Sequence, residues 1–294
     1  MSVRYRVRHI TEYAYTEPVS VCHNMLCVAP TSDHRQRVES YTLTIDPTPT
    51  ASGERQDAFG NVLHVFSIER AHTKLVIDAS SEVVVDAAPT EGDDVSWEDV
   101  VSGVRDQGDA GWLAASPFVH DSEFAKRSDE ARAFAAESFT AGRPIFEAAM
   151  ALTSQIHSSF KYQPGATQVH TDSGEALRLR SGVCQDFAHV GIAGMRALGV
   201  PVRYVSGYLR TIPPEGQPRL VGADQSHAWY AVYCGAGRGW VDFDPTNDCL
   251  CGTDHITLAA GRDYADVAPV RGVFLGGGAS TLRVTVDVEP LEGV

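Results

Sequence analysis

The sequence predicts an α+β protein: an N-terminal β-sandwich followed by helices packed on an antiparallel sheet. Three observations predict it. Residues 1–85 hold several short alternating stretches separated by turn residues, the pattern of a sandwich. Residues 121–198 carry helix formers and apolar residues at three- and four-residue spacing. Residues 226–244 read as strand, glycine-rich turn and return strand. The expected organisation is a β-sandwich domain with an acidic linker over 1–115 and an α+β domain over 116–294.

The elements follow in order. Arg4, Arg6 and Arg8 alternate with Tyr5, Val7 and His9, as on a strand with one wet face. Tyr41 to Asp46 alternates again before Pro47. Asp57-Ala58-Phe59-Gly60-Asn61 is a turn, and Val62 to Ile68 is the strand leaving it. Lys74–Asp78 and Ser81–Val85 complete the β region. Residues 86–110 carry eight acids against one base, Arg105, and read as a solvated linker or edge loop. Glu130–Glu137 is rich in helix formers. A second helix is expected from Pro144, with Ile145, Ala149, Leu152, Ile156 and Phe160 on one face. A short helix near Gly174–Leu179 leads to Cys184. The chain ends in an alternating strand, Thr281–Val288, completing the core sheet or docking on the sandwich.

Chemistry concentrates in Ser181-Gly182-Val183-Cys184-Gln185-Asp186-Phe187-Ala188-His189. This reads as a tight turn that delivers a cysteine to the first turn of a helix. Ala188, Ile192, Met195 and Leu198 form its apolar face, and Gly199 and Pro201 end it. A cysteine there sits at the positive end of the helix dipole, which favours a thiolate nucleophile. A nucleophile needs a base and a group to orient the base. Ser226–Tyr233 and Trp240–Asp244 read as a hairpin around Cys234–Gly239. His227 lies near the start of one strand and Asp244 near the end of the other, and in an antiparallel pair those ends are adjacent. Asp242 is the rival carboxylate. The Cys184 N–H is the natural first oxyanion donor, because N-terminal helix amides lack partners. Tyr162, Gln185 or an indole N–H would supply a second. His189, five residues beyond Cys184, reads as a packed helix residue, and Asp186 as a cap.

Gly182 to His189, Pro201-Val202-Arg203-Tyr204-Val205-Ser206-Gly207-Tyr208, Ser226-His227-Ala228-Trp229 and Phe243-Asp244-Pro245-Thr246-Asn247 resemble the core of the bacterial transglutaminase-like superfamily. The likeness spans about Phe160 to Asn247. Tyr5 to Tyr15 and Asp57 to Asn61 resemble the N-terminal region that precedes this core in many bacterial members. The resemblance implies a papain-like or transglutaminase-like core, many of whose members are described as cysteine proteases. It also implies Cys184 as nucleophile, His227 as base and Asp244 as orienter. The N-terminal likeness implies a sandwich and no chemistry.

The remaining composition bounds this reading. The 294 residues are 43% hydrophobic, enough for a sizeable core. The net charge of −14 argues against nucleic acid and anionic membrane surfaces, and fits a neutral or basic substrate. The start of the chain lacks the apolar run of a signal peptide, and no stretch is long enough to span a bilayer. Six cysteines in a chain this long do not form a disulfide framework, so the expected place is a reducing cytoplasm. Cys249 and Cys251, one residue apart, with Asp254 and His255, are too close-spaced for an ordinary zinc site. No metal or cofactor is expected. The expected activity is thiol-dependent hydrolysis of peptide or amide bonds in a peptide or protein substrate. The alternatives are acyl transfer to an amine, or a non-catalytic peptide-binding module.

Overall fold

The computed structural model describes residues 2–87, 92–211 and 224–291. Its longest element is β1, Ser2–Leu26. The charge alternation read from the sequence is its burial pattern: Tyr5, Val7 and His9 are buried, while Arg6 and Arg8 are exposed. The arginines lie along the wet face against Glu82 and Asp78. β2 is Gln36–Asp46, β3 Ala51–Gln56, β4 Val62–Ile68 and β5 His72–Asp86. The last of these runs unbroken through what reads as two strands.

One antiparallel sheet of seven strands results, in the order β2-β5-β1-β4-β3, with two later strands on the other edge of β1. The register shifts between Ala14 and Val19, where Pro18 interrupts the ladder. Before that point β1 pairs with β5, and after it with His72 of β5 and then with β4 from Cys22 onward. The sheet therefore curls around its own core of Tyr15, Val19, Leu26, Phe66, Leu75 and Ile77. The hydrogen bonding gives a single bent sheet where the sequence predicts the two layers of a sandwich.

The helical half begins inside the acidic segment. α1, Trp97–Arg105, is capped by the Ser96 side chain and buries Val100 and Val104. It is amphipathic, and Trp97 packs on the main core, so this part is no linker loop. α2 is Trp112–Ala115, α3 Asp129–Ala136 and α4 Ile145–Ser159, the last with Pro144 at its N-cap. β6 (Lys161–Tyr162), α5 (Ser173–Leu179) and β7 (Ser181–Gly182) lead to α6, Cys184–Ala197. From Asp186 to Arg196 every residue of α6 is buried, which makes it the central helix. Gly199, at φ +90°, ends that segment.

β8 (Val202–Leu209), β9 (Gln225–Tyr233), β10 (Trp240–Asp244), β11 (Cys249–Leu250) and β12 (His255–Gly261) form the core sheet. Its order is β11-β10-β9-β8-β12. Helices cover one face, where Tyr230, Val232 and Phe243 meet Ile192, Leu152 and Ile156. Toward β12 the core sheet meets the curled sheet, with Tyr208, Ile256 and Leu258 against Tyr5, Val7, Val83 and Val85. After α7, Tyr264–Val267, the chain returns to β1. β13 (Val270–Gly276) and β14 (Ser280–Leu291) both pair with that strand, so the terminal strand joins the N-terminal sheet. Among the described residues no helix is long and apolar enough to cross a membrane.

The seam between the sheets solves an edge problem. β12 is an edge strand, and bare strand edges need cover. Gln36 bonds the Thr257 carbonyl and amide at 2.8 and 2.9 Å. Asn61, at the end of the β3–β4 turn, bonds those of Ala260 at 2.7 and 2.9 Å. Two side-chain amides thus stand in for a missing neighbour strand. Asn61→Leu should orphan both part-buried Ala260 groups and destabilise the protein by about 1–3 kcal/mol. Urea denaturation at neutral pH measures this, and an unchanged midpoint would contradict it.

Candidate active site

Cys184 is the first residue of α6, half-buried, with the extended Val183 before it. Its position depends on Asp186, whose carboxylate accepts the Val183 N–H at 2.7 Å and the Thr167 hydroxyl at 2.7 Å. Burial pushes the Asp186 carboxyl up against these stabilising bonds. The same contact explains Gly182. A Cβ there would overlap the Asp186 carboxylate, and the glycine has no left-handed φ, so the turn itself does not require it. No described acceptor takes the amides of Cys184 or Gln185. Both N–H groups are orphans of the helix start.

The hairpin forms with Trp240 opposite Tyr233 and Phe243 opposite Tyr230. In this register Asp242 lies opposite Ala231, so each acid reaches diagonally to a ring two residues earlier in β9. Asp242 accepts the Trp229 indole N–H at 2.9 Å and faces Arg35 at 3.5 Å. Asp244 meets His227 Nε2 at 2.8 Å. The rival carboxylate is thereby committed to the seam.

Asp244 has no exposed surface and gathers five donors. Its Oδ2 meets His227 Nε2, His255 Nε2 at 3.0 Å and the Asn247 side-chain amide at 2.6 Å. Its Oδ1 accepts the backbone N–H of Thr246 at 2.8 Å and of Asn247 at 3.2 Å. Burial alone would raise this carboxyl, but the two imidazoles outweigh burial and hold it well below the usual carboxylate range. No local sequence pattern assigns His255 this role; eleven residues past Asp244 and beyond a turn, it reads only as a partner for Cys249 and Cys251. The Gly252 N–H donates to its Nδ1 at 3.2 Å, which leaves the ring proton on Nε2, facing Asp244. The ring stands edge-on to Trp229 at 5.4 Å.

Burial would lower the His227 pKa. The hydrogen bonds to Asp244 and to the Cys184 thiol, with their charges, overcome this and raise it to about 10. With Nε2 turned to Asp244, Nδ1 is the nitrogen left for the sulfur. Cys184, His227 and Asp244 are thus brought together in one chain of contacts. Gln185 also borders the adjoining cavity, although its side-chain amide donates to Val169 at 3.0 Å. Tyr162 is 47% exposed and its ring meets Phe187. The Cys184 charge acts on its hydroxyl, second to burial, and both raise it. His189 is fully buried, stacked on Phe124, with Nε2 accepting from Tyr264 N–H.

His227, Asp244 and His255 could also offer three ligand atoms to a metal, all within 4.8 Å of one another. Ligation would require both imidazoles to surrender Nε2 protons already given to Asp244, so the donor set fits a hydrogen-bonded carboxylate better than a metal centre.

Linkage sets the pH behaviour. The raised His227 pKa contributes stability in full below about 6.5, lost as pH rises through about 10. The depressed Asp244 contributes above 3.8, and that is lost in more acid solution. The stability gap between wild type and His227→Leu should therefore be widest between about pH 4 and 6.5 and narrow toward pH 10. Chemical denaturation across that range tests it; a gap that widens with pH would contradict the assignment.

Comparison with known proteins agrees with this architecture. Residues 5–84 match the bacterial transglutaminase-like N-terminal region, and residues 132–245 match the transglutaminase-like superfamily. An uncharacterized protein of Mycobacterium tuberculosis is 40% identical over 299 residues, covering 99% of this chain and 94% of that one. A protein-glutamine gamma-glutamyltransferase of Pseudomonas aeruginosa is 34% identical over 93 residues, 31% of this chain and 14% of that one. A solved structure from Cytophaga hutchinsonii, described as a candidate cysteine protease, superposes with a TM-score of 0.76 at 21% identity, covering 100% of this chain and 92% of that one.

Proposed function

The chain belongs to the transglutaminase-like superfamily, and from that premise we propose that it is a thiol hydrolase of peptide or amide bonds. Cys184 is the nucleophile, His227 the base and acid, and Asp244 the orienter. The observation that carries this reading is the buried Asp244–His227 pair beside a half-buried thiol at a helix N-terminus.

An imidazole with a pKa of about 10 holds its proton at neutral pH, and the reactive form in this proposal pairs it with a Cys184 thiolate. The thiolate attacks the amide carbonyl carbon and forms a C–S bond. The carbonyl oxygen takes the negative charge and is held by the Cys184 N–H, with the Gln185 N–H as second donor. Tyr162 stands near the same edge of the site. The C–N bond then breaks, and the amine leaves with the proton of His227. Water attacks the thioester, returning a proton to His227 as the C–O bond forms and the C–S bond breaks. Asp244, pinned by its other donors, keeps the ring aligned throughout.

Water needs no site of its own, so the described groups suffice for hydrolysis. The second reading is transfer of the acyl group to an amine, favoured by the relation to the P. aeruginosa transferase. Six free cysteines support a reducing, cytoplasmic setting. The acidic net charge supports a peptide or protein partner rather than nucleic acid or an anionic membrane.

Iodoacetamide at pH 6–7 should modify Cys184 faster than the other cysteines, and His227→Ala should abolish that preference. Equal slow labelling of several cysteines would favour a non-catalytic binding module. Candidate peptides incubated with and without a primary amine, read by mass spectrometry, should give free acid. An amine adduct in their place would move the assignment to the transferase.

A further inference from the structure

The sequence allots no chemistry to the N-terminal region, yet that region reaches the nucleophile. A cavity of about 390 Å³ opens beside Cys184. One wall belongs to the core, with Tyr204, Ala228 and Tyr264. The opposite wall comes from β1, with His9, Thr11 and Tyr13, and from β14, with Leu282 and Val284. The two walls are tied together. His9 Nδ1 meets the Tyr208 hydroxyl at 2.7 Å, and the Val288 N–H donates to Asp224 at 2.7 Å.

Apart from the Cys184–His227 pair of the site itself, charge is missing from this lining. Among the described residues that border the cavity there is no Asp, Glu, Lys or Arg. His9 is no exception, because burial pushes it down to about 4, so it is neutral at physiological pH. Its ring nitrogens are also engaged, one by Tyr208 and the other by Thr11 at 3.1 Å. At the mouth, Leu282 and Val284 stand 58% and 47% exposed. Apolar side chains left open on a rim beside a nucleophile mark a surface that a ligand covers. An ionised side chain packed between these two walls would lose its water with no counter-charge on either wall to meet it.

We propose that this cavity is the specificity pocket of the proposed hydrolase, and that it selects an acyl donor with an uncharged, apolar side chain next to the scissile amide. Tyr13, Leu282 and Val284 are the specificity-determining residues. The N-terminal sheet is then part of the substrate site, and substrates with Asp, Glu, Lys or Arg at that position are refused.

The inference rests on the hydrolase reading, and the test separates the two. N-acetyl amino-acid chloromethyl ketones alkylate a thiolate, the C–S bond forming as chloride leaves. Rates at Cys184 are measured for leucyl, phenylalanyl, lysyl and glutamyl probes, with iodoacetamide as the probe that needs no pocket. The apolar probes should react about tenfold faster or more than either charged one. In Leu282→Asp the lysyl-to-leucyl ratio should rise about tenfold, a ratio that a general loss of folding does not produce. Equal rates, or a preference for a charged probe, with iodoacetamide still selective for Cys184, would overturn this inference alone. Loss of that selectivity would sink the hydrolase reading and the inference with it.

Discussion

The structure around the site depends on one buried carboxylate. Asp244 is withdrawn from water and survives as an anion only because five donors surround it. Isolated charges in such a place are very costly, and the compensation must be nearly complete. The chain supplies it from three sources: the strand that carries His227, the loop after Pro245, and the start of β12. Each source therefore has its position fixed by the same atom. The hairpin register, the turn at 245–248 and the entry into β12 share a common constraint.

That constraint also explains why two acids two residues apart have different lives. Asp242 and Asp244 sit on one face of β10, and both reach diagonally across the hairpin. One finds an indole and an arginine, the other an imidazole pair. Asp242 helps to hold the seam between the sheets. Asp244 faces the end of the hairpin where the helix presents its sulfur. Strand geometry alone makes the two equivalent; their neighbours divide the roles.

Much of the core was legible in the sequence because its signals are local. The period of α6, its glycine stop and the hairpin around Cys234–Gly239 each rest on residues close in the chain, and each lies where the pattern put it. Cys184, His227 and Asp244 could be named because each sits in a local motif. What escaped depends on distant pairing. His255 earns its place only through a carboxylate eleven residues back, and no local pattern marks it. The curl of the first sheet needed the shift near Pro18 and the return of β13 and β14 to β1. The helix inside the acidic stretch was hidden by composition, since charge obscured the buried Val100 and Val104. Gln36 and Asn61 looked like ordinary polar residues, because a side chain that completes a distant strand edge leaves no trace in its own neighbourhood.

The pairing of β14 along β1 has a consequence for the order of events during synthesis. A chain translated only as far as Asp244 already contains the sulfur, the imidazole and the carboxylate. It lacks His255 to complete the carboxylate's shell, and Leu282 and Val284 to close one side of the cleft. Contacts between segments so far apart in sequence form late, because the closure of long loops precedes any gain from them. On the proposed reading, the nascent chain holds the three groups of the site before it holds the wall proposed to select the substrate, and the pairing of β14 with β1 completes that wall.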